Sequence, residues 1–113
     1  MVGRYLDVLH LGGQMIRYTT PTETFTVENI DLSDATSIKV TFKQKSNVLT
    51  VDGAATYEEP DSTVSCILTQ EQTGSFAKGK LDVQVNAWWD DKRDATYIGE
   101  LMVYENLLDE VLP

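Results

Sequence analysis

One cysteine, one histidine and three prolines are all the sequence has of those residues. With Cys66 alone no internal disulfide can form, so the fold does not depend on an oxidising compartment. With His10 alone, and that within the first fourteen residues, a triad of nucleophile, base and orienting group has no histidine to draw on in the body of the chain. Basic residues are also scarce: 9 against 18 acidic, a formal net charge of −9. Such a surface repels phosphate backbones and anionic headgroups, which argues against nucleic acid or a membrane as partner. No apolar run approaches the roughly 20 residues that span a bilayer. The opening stretch is a poor signal peptide, because Asp7 and His10 break its apolar residues, so synthesis in the cytoplasm is expected. Phosphate-binding glycine loops are missing too. Gly12-Gly13 and Lys78-Gly79-Lys80 match neither nucleotide fingerprint, and the second reads as a turn with solvated lysines.

What is present describes an ordinary globular domain. A chain of 113 residues supports one hydrophobic core. Its 42% hydrophobic and 24% charged content argues against disorder. From Ile16 onward short alternating segments are separated by turn residues. Ile38, Val40 and Phe42 alternate with Lys39, Thr41 and Lys43; Leu81, Val83, Val85, Ala87 and Trp89 alternate with Asp82, Gln84, Asn86 and Trp88. Further strands fall at 15–18, 24–27, 48–51, 55–58, 63–69 and 96–104, with Asp52-Gly53 as a hairpin signal. Residues 69–73 break the alternation and predict one helical turn capped by Thr69 and ended by Gly74. The pattern predicts an all-β, immunoglobulin-like antiparallel β-sandwich of about seven or eight strands.

Residues 1–14 read differently. They are fairly apolar and end at Gly12-Gly13, whose codons can spell a purine-rich ribosome-binding element just upstream of Met15. The expected organisation is an N-terminal extension over 1–14, from a misassigned start, and a single sandwich domain over 15–113; a genuine N-terminal strand or helix is the alternative.

Three constellations could carry chemistry. Asp90, Asp91 and Asp94 share a charged loop, but Lys92 and Arg93 offset them and the spacing lacks an EF-hand's ligands, so a solvated hairpin tip is expected. Trp88 and Trp89 are adjacent in a strand and face opposite sides: Trp89 should join the core, leaving Trp88 to shield an edge or bind a ligand. Leu107, Leu108, Val111 and Leu112 lie at helical spacing, which suits a short amphipathic helix, a tail docked on a neighbouring subunit, or a tail folded back on the core. Cys66 falls in the apolar alternation of Val64 and Leu68, where a small buried hydrophobe is expected.

Two stretches carry a resemblance. Met15-Ile16-Arg17-Tyr18-Thr19-Thr20-Pro21-Thr22-Glu23-Thr24-Phe25-Thr26 resembles the opening of small structural-module proteins encoded in prophages of Gram-positive bacteria. Those proteins also have a strand like Ile38–Phe42, a turn like Leu68-Thr69-Gln70-Glu71 and an acidic, leucine-containing tail like Leu108–Leu112. Relative to that opening, a glycine before Thr-Thr-Pro is absent and Glu23 replaces a histidine. The layout is distantly similar to the N-terminal domain of phage baseplate upper proteins. The resemblance implies a non-enzymatic structural or assembly protein, tail or baseplate associated, with no catalytic or cofactor-binding residues to carry over. Its partners would be other phage structural proteins or further copies of itself, and its location the host cytoplasm during synthesis and then the virion. The candidate contact residues are Trp88, Tyr104, Leu107 and Leu108. A carbohydrate-binding module is the alternative, with Trp88 as stacking platform.

Overall fold

The computed structural model describes residues 8–11 and 14–112, which form ten strands and one short helix. One sheet runs β1 (Val8–Leu11), β3 (Thr22–Val27), β7 (Asp61–Ile67), β6 (Ala54–Glu58). The other runs β2 (Gln14–Ile16), β10 (Gly99–Tyr104), β8 (Gly79–Trp89), β4 (Ser37–Gln44), β5 (Asn47–Asp52), and β9 (Lys92–Ala95) pairs with the far end of β8. Every pairing is antiparallel except β2 with β10. This is the division of strands between the sheets of an immunoglobulin-like sandwich, with β5 as the added strand of the variable type. No helix among the described residues is long and apolar enough to cross a membrane.

Burial follows the alternation. Ile38, Val40 and Phe42 of β4, Phe25 and Val27 of β3, Val64 and Cys66 of β7, and Leu81, Val83, Val85 and Ala87 of β8 all point between the sheets. Phe25 and Phe42 meet across the interior, ring centroids 6.3 Å apart and tilted by 51°, within the range where aromatic pairs gain beyond simple burial. Leu32 closes one end of the core; Leu68 and Phe76 lie in the connections at the other.

Several local expectations need correction. Asp52-Gly53 does not make a hairpin: β5 and β6 belong to different sheets, and the chain crosses between them at Gly53. A Cβ there would lie 2.9 Å from Val64 and 3.2 Å from both Ile38 and Val40, so glycine is needed for close passage over the core. Gly74 ends α1 (Gln70–Gly74) as expected, and a Cβ there would meet the Tyr18 ring at 2.4 Å. Thr69 does cap that helix, and with Gln72 it forms a capping box. Residues 92–94, read as loop, belong to β9, leaving Asp90 and Asp91 as the turn. The boundary drawn at residue 14 falls within β2, and Val8–Leu11 pairs with β3.

The strand read over 96–104 is interrupted. Asn86 pairs with Ala95 but Val83 with Gly99, so β9 and β10 are joined by a bulge of one extra residue opposite β8. Buried Thr96 repairs the ladder there. Its amide donates to the Val85 carbonyl at 2.9 Å, and its hydroxyl oxygen accepts from the Val85 amide at 3.0 Å. A side-chain oxygen stands in for the missing backbone acceptor. Thr96→Val preserves shape but orphans that amide, and should cost about 1–3 kcal/mol in urea unfolding; unchanged stability would show that the bulge does not need the hydroxyl.

Candidate functional site

Outward-pointing residues of the larger sheet form an open face, and their height along the strands decides what they can do together. Trp88 lies near one end of β8, and Tyr104 lies beyond Val103, which pairs with Gly79 at the other. Nine residues of strand, about 30 Å, separate the two levels, so the expected contact residues do not form one surface. Trp88 is half-buried, with the Arg93 guanidinium 4.8 Å from its ring centroid. Arg93 also donates from Nε to Asn86 Oδ1 at 3.1 Å, which holds it there. Trp89 packs partly against the core and donates from Nε1 to Asp34 at 3.0 Å, with Lys92 over its ring. A sugar stacking on Trp88 would have to use the ring face that Arg93 leaves free.

Tyr104 sits in an apolar strip. Its Cα partner on β2 is Ile16, and Met102 lies one step along the same face; the three are 46%, 44% and 38% exposed. Leu107 and Leu108 follow, both exposed. Residues 105–112 do not form the amphipathic helix that their spacing allows. Arg17, a residue the sequence did not single out as a contact, holds this tail in a non-helical path. Its Nη1 meets Glu105 at 2.8 Å and Asp109 at 3.3 Å. Its Nε and Nη2 donate to the carbonyls of Phe76 at 2.6 Å and Gly74 at 2.8 Å. The hydrogen bond to Glu105 is the largest influence raising the guanidinium's pKa. Farther on, Gln70 donates to the Leu112 carbonyl and accepts from its amide, both at 2.9 Å.

Beside this strip lies a cleft of about 460 Å³ that sequence reading missed. Lys43, Lys45, Lys78 and Lys80 line it, four of the chain's nine basic residues, with Asp82 and Glu100 on the same wall. The turn after β4 and the connection into β8 are locked together by Gln44. It donates to the carbonyls of Ala77 at 2.8 Å and Lys80 at 3.2 Å, and accepts from the Ala77 amide at 2.8 Å. Asn47 adds a bond to the Ser75 carbonyl at 2.9 Å. Lys45 is held at φ 55°, a region that is unfavourable for a residue with a Cβ. None of the four lysines makes an ion pair among the described residues. A shallower depression lined by Lys78, Gly79, Met102 and Tyr104 joins cleft and apolar strip.

The opposite end is acidic. Glu28, Asp31 and Asp34 come from the β3–β4 connection, Glu58, Glu59 and Asp61 from the β6–β7 turn, and Asp90 and Asp91 from the β8–β9 turn. None of these carboxylates is ion-paired among the described residues. Tyr57, exposed among them, has its phenol pushed above its ordinary pKa by desolvation and by the carboxylates of Glu59, Asp31 and Asp61. No three His, Cys, Asp or Glu side chains among the described residues converge so as to hold a metal ion.

Fold and surface together define an immunoglobulin-like β-sandwich with a lysine-lined cleft at one end of its strands and a carboxylate-rich end at the other. No protein-family model and no curated protein matches the chain.

Cys66 is buried, and desolvation, with Glu23 nearby, pushes its thiol from 9.0 up to about 12. The thiol therefore stays protonated, and Ellman's reagent at about pH 8 should leave the folded protein unlabelled and react after unfolding; fast native labelling would contradict this placement. Because the folded thiol ionises later than the unfolded one, it leaves stability unaffected below about pH 9 and withdraws it as pH rises towards 12. Arg17→Met should release the tail, removing amide hydrogen-exchange protection at Leu112 while β4 and β8 keep theirs. Retained protection at Leu112 would mean that Gln70 suffices.

Proposed function

We propose that this protein is a non-enzymatic structural or assembly module of a phage or prophage particle, tail or baseplate associated, that works through protein–protein contacts. The observation that carries the reading is the open face of the larger sheet. There Ile16, Met102 and Tyr104 form an exposed apolar strip bordered by charged groups, the make-up of an interface with an apolar centre and a polar rim. The resemblance of Met15–Thr26 to the opening of prophage-encoded structural modules supports the same reading. The partners are further copies of the chain or other particle proteins.

The test is size exclusion with light scattering on the full chain across a wide concentration range, alongside Met102→Ser/Tyr104→Ser and Trp88→Ala. The expected result is a defined oligomer whose dissociation constant rises about tenfold or more in the double variant, since buried aromatic anchors dominate such contacts, with Trp88→Ala unchanged. Glycan-array binding that disappears in Trp88→Ala, without any oligomer, would replace this reading with a carbohydrate-binding one.

A further inference from the structure

The lysine cleft is odd in a chain of this charge. Four ammonium groups without an ion pair among the described residues share about 460 Å³ in a protein of net charge −9. Its floor is built and rigid, through the three bonds of Gln44 and the positive-φ backbone at Lys45. At the far end of the sandwich, the β6–β7 turn presents Glu58, Glu59 and Asp61 beside Asp31, also without ion pairs among the described residues. Two unsatisfied surfaces of opposite sign therefore lie at opposite ends of one small body, about 27 Å apart along β8 from Lys80 to Trp88.

We propose that the cleft receives the acidic tip of a second copy of this chain, so that copies join head to tail.

The proposal rests on the assembly reading above and adds to it a contact distinct from the apolar strip. The match is one of opposite net sign: four lysines outnumber Asp82 and Glu100 in the cleft, and the β6–β7 turn carries Glu58, Glu59 and Asp61. An extended polyanion such as a nucleic acid is a poorer occupant, because beyond the cleft it would run along an acidic surface. A short carboxylate tip ends where the lysines end. At physiological ionic strength the screening length is about 8 Å, so the opposed charges at the junction act while the overall repulsion between two bodies of charge −9 is largely screened. A tip-to-cleft contact uses different patches on the two copies and leaves one of each free, so it propagates unless the rotation per step closes a ring.

The test uses the full chain and two variants that each remove three charges of one sign, both confined to exposed or half-buried positions. The cleft variant is Lys43→Gln/Lys78→Gln/Lys80→Gln. The tip variant is Glu58→Gln/Glu59→Gln/Asp61→Asn, where asparagine keeps an acceptor for the Asn29 amide. Thermal melts confirm that both are folded. In sedimentation velocity the wild-type chain should grow in mass with concentration and lose mass in about 1 M salt, where the screening length falls to about 3 Å. Each variant alone should associate more than about tenfold more weakly. An equimolar mixture should regain one tip-to-cleft junction per pair and propagate no further through that contact, because one native tip meets one native cleft and the remaining ends are blank. A wild-type oligomer indifferent to salt and to both variants would overturn the head-to-tail contact while leaving assembly through the apolar strip standing. A wild-type monomer at every concentration would also overturn it, and would confine the assembly reading to partners other than itself.

Discussion

The contact between two sheet faces is the constraint on which the remaining structure depends. Every long strand commits alternate side chains to one interior, and Phe25 from one sheet and Phe42 from the other meet near its middle. Removing either ring would open a void of a kind that typically costs about 3–5 kcal/mol, a large part of the stability of a domain this size. Because the inward rows carry the packing, the outward rows are free of it. Lys39, Thr41 and Lys43 can be charged or polar because Ile38, Val40 and Phe42 are not. The segregation of charge along the molecule is thus compatible with a conventional core.

Where the ladders are interrupted, side chains take the place of backbone. Thr96 does so at the bulge between β9 and β10. Ser62 does so at the other end, accepting from the Leu32 amide and donating to the Ile30 carbonyl, both at 2.8 Å, within a buried corner. Thr73 joins α1 to the connection after β2 by accepting from the Thr19 amide and donating to its carbonyl. Buried amides and carbonyls left without partners are costly, so these short polar side chains are structural in the same sense as the phenylalanines.

Much of this architecture was legible in the residues. The alternation of β4 and β8 gives their buried faces correctly, and Thr69 signals the start of α1. The misreadings share a cause: local signals do not say which sheet a strand will join. Asp52-Gly53 marks a sharp change of direction, but nothing in the dipeptide distinguishes a hairpin from a crossing between sheets. The alternation over 96–104 gives the right face from Gly99 onward and the wrong one for exposed Tyr97, because a single inserted residue reverses every side chain before it. Periodicity is silent on height, and the register sets Trp88 and Tyr104 far apart. The cleft was illegible for another reason. Lys43 reads as the outward row of a strand and Lys78 and Lys80 as a turn with solvated lysines, and the Gln44 bonds that unite them span 33 and 36 residues.

The excess of carboxylates at one end of the strands, against the four lysines gathered at the other, makes the molecule an electric dipole as well as a net anion. A body of that kind does not approach a charged plane at random. Near a positively charged support, such as an anion-exchange matrix, the end bearing Glu58, Glu59 and Asp61 is drawn in first. The protein then stands upright on its turns, with Lys43, Lys45, Lys78 and Lys80 turned towards the solvent. Adsorption alone therefore produces an oriented layer, with the same face of every molecule presented outward and no tag or chemical coupling needed to align it.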